Sequence, residues 1–198
     1  MNNADSLLHQ SKEPRQYRLN ILQQPRVARM SSFSEKRPVD PPAIIQLEVY
    51  DSAGRLDEDA LRSPFWVLHV LLADNDTLPK PQSQILQGSL TSSAHYCRLS
   101  NHDTGGYGCF FYFSDLTLTM EGAYRLKFLL TTVCSQDNSP QPVLSHVVTN
   151  PFTVYTAKKF PGMAPSSHLA KSLAAQGVKI PIRNEERKRN QNREEELN

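Results

Sequence analysis

The stretch Tyr124-Arg125-Leu126-Lys127-Phe128-Leu129-Leu130 decides the fold class, because Tyr124, Leu126, Phe128 and Leu130 alternate with Arg125 and Lys127. A period of two puts the apolar set on one face of a strand and the charged pair on the other, as in a sheet with one buried face. The same alternation recurs in Tyr17, Leu19 and Ile21 against Arg18 and Asn20, and in Ile45, Leu47 and Val49 against Gln46 and Glu48. Residues 65–73 (FWVLHVLLA) and 109–113 (CFFYF) are apolar almost throughout, as strands covered on both faces are. Residues 86–96, 143–148 and 152–155 bring the expected set to about eight strands.

Polar turn clusters separate these runs: Asp51-Ser52-Ala53-Gly54, Asp74-Asn75-Asp76, residues 101–108, Glu121-Gly122 and residues 136–142. Many short strands joined by such turns predict an all-β sandwich or barrel. Helical periodicity appears only near the C-terminus. There Ser166 or Ser167 is placed to cap a short helix with Leu169, Ala170, Leu173 and Ala174 on one face, and Gly177 is placed to follow its end. That helix is expected to dock on the sandwich. Val178, Ile180 and Ile182, alternating with Lys179 and Arg183, predict a closing strand before the charged segment EERKRNQNREEELN.

A chain of 198 residues fits one domain with flanking segments. The 38% hydrophobic content, 14 prolines and mean hydropathy of -0.50 point to polar segments around a modest core. The expected boundaries are a disordered segment over 1–14, the domain over 15–187 and a charged, disordered tail over 188–198. The first residues lack a basic stretch followed by an apolar one, and no run approaches the roughly 18 apolar residues of a membrane span, so a soluble intracellular protein is expected. Cys97, Cys109 and Cys134 are odd in number and widely spaced, which suits reduced thiols better than disulfides.

The net charge of +2 conceals a strong asymmetry. Residues 1–39 carry seven basic and three acidic side chains, and residues 158–198 nine and five, so each end is +4; residues 40–157 carry six and twelve, or -6. An acidic body repels a polyanion, so contact with nucleic acid is expected from the basic ends.

The usual arrangements for catalysis are missing: there is no Gly-x-Ser-x-Gly elbow, no His-Glu-x-x-His and no Cys-x-x-Cys. The chain is therefore read as a protein without catalytic residues, metal or cofactor. His95 with Cys97, and His102 with Cys109, are too loosely spaced to argue for a metal. Gly105-Gly106-Tyr107-Gly108 precedes an apolar strand, whereas a phosphate cradle needs a helix there, so it reads as a turn. Trp66 and His69 read as core, and Asp57-Glu58-Asp59 as a solvated loop.

Residues 24–42 (QPRVARMSSFSEKRPVDPP) differ in kind. Arg26, Arg29, Lys36 and Arg37 fall in what reads as a loop after the first strand, while Pro25, Pro38, Pro41 and Pro42 restrict the backbone and lower the entropy lost on docking. Arginine there suits bidentate bonding to guanine or phosphate, and lysine supplies point charge.

From this segment outward the sequence resembles the fungal velvet family. QQPRVARM (residues 23–30) and RPVDPPAIIQL (residues 37–47) resemble the family's N-terminal signature. Residues 105–128 (GGYGCFFYFSDLTLTMEGAYRLKF) resemble its central block, Lys159-Phe160-Pro161-Gly162-Met163 its KFPGM motif, and residues 176–183 (QGVKIPIR) its closing strand. The resemblance spans residues 17–187 in the family's order and is greatest to its spore-viability branch. It implies an immunoglobulin-like sandwich related to the Rel-homology DNA-binding domain, dimerisation with itself or another velvet protein, nuclear action on double-stranded DNA, and control of sporulation and secondary metabolism.

By the same resemblance, Lys36 and Arg37 match the basic cluster that contacts DNA, and Arg26 and Arg29 match the element before it. Arg183 and Lys188, with Arg187 and Arg189, are expected to add phosphate contacts or a nuclear-import signal. The cluster SEKRP is shorter and less basic than is usual for the family. An interaction protein that regulates transcription without reading DNA is therefore the alternative expectation.

Overall fold

The computed structural model describes residues 14–32, 35–73, 78–98, 106–133 and 142–184. Two four-stranded antiparallel sheets form the sandwich. In the first, β1 (Gln16–Gln23) pairs with β3 (Ala43–Tyr50), β3 with β8 (Tyr107–Phe113), and β8 with β7 (His95–Arg98). The register sets Leu19 opposite Leu47 and Ile45 opposite Phe111, so the alternation read in each strand lands on one shared face. In the second sheet, β12 (Ser145–Val148), β11 (Leu126–Thr132), β4 (Trp66–Leu72) and β6 (Thr91–Ser93) lie side by side in that order.

Between the sheets lie Ile45, Leu47, Val49, Phe111 and Phe113 from the first and Trp66, Leu68, Val70, Phe128 and Leu130 from the second, all buried. Phe113 and Phe128 meet with ring centroids 5.1 Å apart, and Tyr17 sits edge-on to Trp66 at 5.7 Å. Trp66 satisfies its indole N–H by donating to the Ala60 carbonyl at 2.7 Å. His69 points the other way on the same strand and bonds the Thr131 hydroxyl at 2.9 Å on the sheet's outer face. Trp66 is core as expected, and His69 is not.

The remaining strands form two small sheets. One holds β10 (Gly122–Tyr124), β13 (Phe152–Tyr155) and β2 (Val27–Arg29), and the other β5 (Leu86–Gln87) and β9 (Thr117–Leu118). The 124–130 stretch thus divides between two sheets at Arg125, whose Nε donates to the Thr149 carbonyl. Residues 86–96 likewise divide among β5, β6 and β7, with Gly88 in a left-handed conformation between the first two. Asp57-Glu58-Asp59 leaves Glu58 and Asp59 exposed as expected but opens a helix in place of a loop: Asp57 Oδ1 accepts the Ala60 N–H at 2.9 Å and caps α1 (Glu58–Leu61), while its other oxygen holds Arg15 at 3.0 Å. A second short helix, α2, covers Gln82–Ile85.

The first sheet is covered on its outer face as well. There α3 (His168–Ala175), capped by Ser167 and followed by Gly177 at φ 93°, buries Ala170 and Leu173 against Ile44, Cys97 and Phe110. Coverage on both faces explains why β8 reads as continuously apolar. Beyond α3, Val178 and Ile180 are buried in the same cluster, yet residues 178–184 join no sheet. The expected closing strand is therefore an irregular segment packed on side chains, with the Ile180 N–H donating back to the Val178 carbonyl at 2.7 Å. No helix among the described residues is long and apolar enough to cross a membrane.

Candidate nucleic-acid interface

The basic segment read as a loop contains β2. Val27, Ala28 and Arg29 pair in parallel with Thr153, Val154 and Tyr155, and Ala28 is fully buried. A three-residue strand is too short to show periodicity, which is why the sequence did not disclose it. After β2 the Met30 N–H donates to the Tyr155 carbonyl at 2.7 Å and the Ser31 N–H to that of Leu118 at 2.8 Å. The chain returns through Glu35, Lys36 and Arg37 to Val39, whose N–H donates to the Leu116 carbonyl, and Asp40, which bridges back to Val27. Ser31 Oγ accepts the Arg37 N–H at 3.1 Å and ties the outgoing limb to the returning one. The basic residues are thus displayed from a fixed frame.

Of the four segment cations, Arg26, Lys36 and Arg37 are exposed and Arg29 is half-buried. Arg26 and Lys36 have no ion pair among the described residues. Arg29 and Arg37 converge on one carboxylate. Arg29 donates to both oxygens of Glu35, at 3.1 and 2.9 Å, and Arg37 donates through Nε and Nη2 to Oε1, at 3.1 and 2.8 Å. The Arg37 hydrogen bonds and the Arg29 charge hold the Glu35 carboxyl below the usual glutamate range. Arg29 Nε is buried without a hydrogen-bond partner among the described residues.

The base of the segment is locked to the far end of the chain. Asp40, 1% exposed, accepts the Ala164 N–H at 2.7 Å on one oxygen and the Arg183 guanidinium on the other. Arg183 also donates through Nε to the Ala164 carbonyl at 3.2 Å and through Nη1 to the Met163 sulfur. Its guanidinium is engaged in this clamp, where phosphate contact or part of a nuclear-import signal was expected. Gln23 is a second tie, donating to the Pro42 carbonyl at 2.7 Å and accepting from the Ser167 hydroxyl. Segments 23–30, 37–47, 159–163 and 176–183, distant in sequence, therefore meet around one junction. Lys188, with Arg187 and Arg189, lies outside the described residues.

Two cations, counted in the basic C-terminal end, were not singled out from the sequence as neighbours of this segment. Because β13 runs parallel to β2, the residues after Tyr155 leave the sheet at the same end as those after Arg29, and exposed Lys158 and Lys159 follow at once. Parallel pairing across more than a hundred residues leaves no local signal.

Among the described residues no group of three His, Cys, Asp or Glu side chains is placed to hold a metal. Burial pushes the Cys109 thiol up to about 12, with Cys97 adding to the shift; burial also raises the Cys97 thiol and lowers His95.

The family model for the velvet factor matches residues 17–84 and 78–187. The sexual development regulator umv3 of Mycosarcoma maydis is 36% identical over 90% of this chain and 48% of its own length. The spore development regulator VOSA of Pyricularia oryzae is 37% identical over 90% of this chain and 35% of its own. A velvet complex subunit of Chaetomium globosum is 34% identical over 86% of this chain and 38% of its own. The chain thus spans between about a third and a half of the length of these relatives.

Proposed function

The chain belongs to the velvet family, and on that footing we propose that it is a nuclear transcription regulator of fungal development that binds double-stranded DNA through residues 26–37. The observation that carries this reading is the basic segment itself. Strand pairing to β13 and the Asp40 clamp hold it in place, and it displays Arg26, Lys36 and Arg37 at the surface of a domain whose middle portion is net acidic. Lysines 158 and 159 extend the positive surface at the same end of β2. In this arrangement arginines read base edges and bind phosphate, while lysines add phosphate contacts. Arg183 acts as the positioning residue that keeps the frame, and Lys188 adds charge from the C-terminal segment.

The relatives' names, two of them development regulators and one a velvet complex subunit, support a regulatory role and a velvet protein, the same or another, as dimer partner. Titrating a labelled duplex over a salt series, with target and scrambled sequences and with and without a velvet partner, tests the reading. Sequence preference in at least one dimer is expected, and its absence from every combination would refute it.

The second reading, regulation through a velvet partner without DNA contact, is favoured by one observation: Glu35 occupies the guanidinium groups of two of the four segment cations. Replacing Arg26, Arg29, Lys36 and Arg37 together separates the readings, since unchanged genomic occupancy would favour the second.

A further inference from the structure

The position of Glu35 does more than weaken the positive surface. A carboxylate and a phosphate offer a guanidinium the same arrangement, two oxygens facing two parallel N–H bonds. Glu35 fills that arrangement on Arg29 and supplies one of its oxygens to two donors of Arg37, so four N–H bonds from two arginines meet on one oxyanion. Accepting the DNA-binding reading above, we propose that Glu35 holds the place of a DNA phosphate. Binding then exchanges one oxyanion for another on Arg29 and Arg37, and Glu35 sets the affinity and salt dependence of the interface.

Two features support exchange over a purely structural role. The cluster is open to solvent, with side-chain exposures of 45% for Glu35, 45% for Arg37 and 24% for Arg29, so a phosphate has access and the resident pairs are of the weak, exposed kind. The backbones that carry the donors are fixed independently of Glu35: Arg29 belongs to β2, opposite Tyr155, and the Arg37 N–H is held by Ser31 Oγ. When the carboxylate leaves, the two guanidinium groups keep their backbone anchors.

The test uses the full chain, with its velvet partner if the homodimer binds weakly, and a fluorescently labelled mixed-sequence DNA duplex over a sodium chloride series. Glu35→Gln keeps the size of the side chain and removes its charge. It is expected to tighten binding about five- to tenfold, the scale of two exposed ion pairs, and to steepen the plot of log affinity against log salt by about one unit. Glu35→Asp, which keeps a carboxylate, should stay closer to wild type in slope. A purely structural role would leave the slope unchanged. Arg29→Ala/Arg37→Ala, with Arg37→Ala alone in case the double variant folds poorly, separates the two failures. If these variants weaken binding while Glu35→Gln does not tighten it, the DNA-binding surface stands and the exchange is overturned. If a folded double variant binds as wild type does, Arg29 and Arg37 lie off the interface and the exchange is overturned; if neither the homodimer nor a velvet heterodimer binds the duplex at all, the DNA-binding reading falls and the exchange with it.

Discussion

Asp40 and Arg183, 143 positions apart in the chain, form an ion pair in which the aspartate side chain is 1% exposed and the arginine side chain 38%. Removing the arginine leaves a buried acid with only the Ala164 N–H on its carboxylate. Breaking buried pairs costs several kcal/mol, and partial exposure of Arg183 reduces that, so Arg183→Ala is expected to lower stability by about 1–3 kcal/mol in urea denaturation. Arg183→Lys should restore little, because one ammonium cannot reproduce the fork that reaches Asp40, Ala164 and Met163 together. An unchanged midpoint for Arg183→Ala would contradict the clamp.

Leu173 carries the docking of α3. It is buried with Ala170 against Ile44 and Phe110, so Leu173→Ala is expected to cost about 2–5 kcal/mol and to loosen the helix before the sandwich. Hydrogen exchange would show this as faster amide exchange in α3 than in β4 or β11.

How far the sequence discloses this molecule depends on which property each residue reports. Period-two alternation reports burial, and it located β1, β3 and β11 because their alternate residues face the core between the sheets. For Val178 and Ile180 alternation also reported burial correctly, but no strand lies beside them to make a ladder. The segment displaying Arg26, Arg29, Lys36 and Arg37 was legible from charge and proline. Its frame was not, since β2 is three residues long and is held by partners near residues 116, 155 and 183. The Glu35 bridge was equally hidden. Sequence shows an acid beside a lysine, whereas the fold brings that acid onto the arginine six residues before it.

The thiols of Cys97 and Cys109 give a test of the outer cluster. Both are buried, and their thiolates are disfavoured at neutral pH. Iodoacetamide at mildly alkaline pH, followed by peptide mapping, should leave both unmodified in the native protein and label both in urea. Rapid native labelling of Cys109 would show that β8 is not covered as described.

The acid limb of the interface follows from Glu35. Its folded-state carboxyl lies below the ordinary glutamate value of about 4.3, so the bridge is formed above that value and is lost as pH falls through the lowered one. The affinity ratio of Glu35→Gln to wild type should therefore hold constant from about pH 7 to about pH 5. A ratio that collapses within that window would show that another group governs the exchange.

Lysines 158 and 159 extend the same surface, so Lys158→Ala/Lys159→Ala is expected to weaken binding to all duplexes alike and to flatten the salt dependence by up to about two units. Equal behaviour of target and scrambled DNA in this variant separates phosphate contact from base reading. A loss confined to the target sequence would assign these lysines to base edges instead.

The most direct test of the account is the salt dependence of DNA binding by Lys36→Ala/Arg37→Ala beside wild type. Both residues are exposed on the returning limb, and neither contributes to the core. Weaker binding and a slope flatter by about one to two units, with the fold intact, are expected; a folded variant with wild-type affinity and slope would contradict DNA binding through this segment.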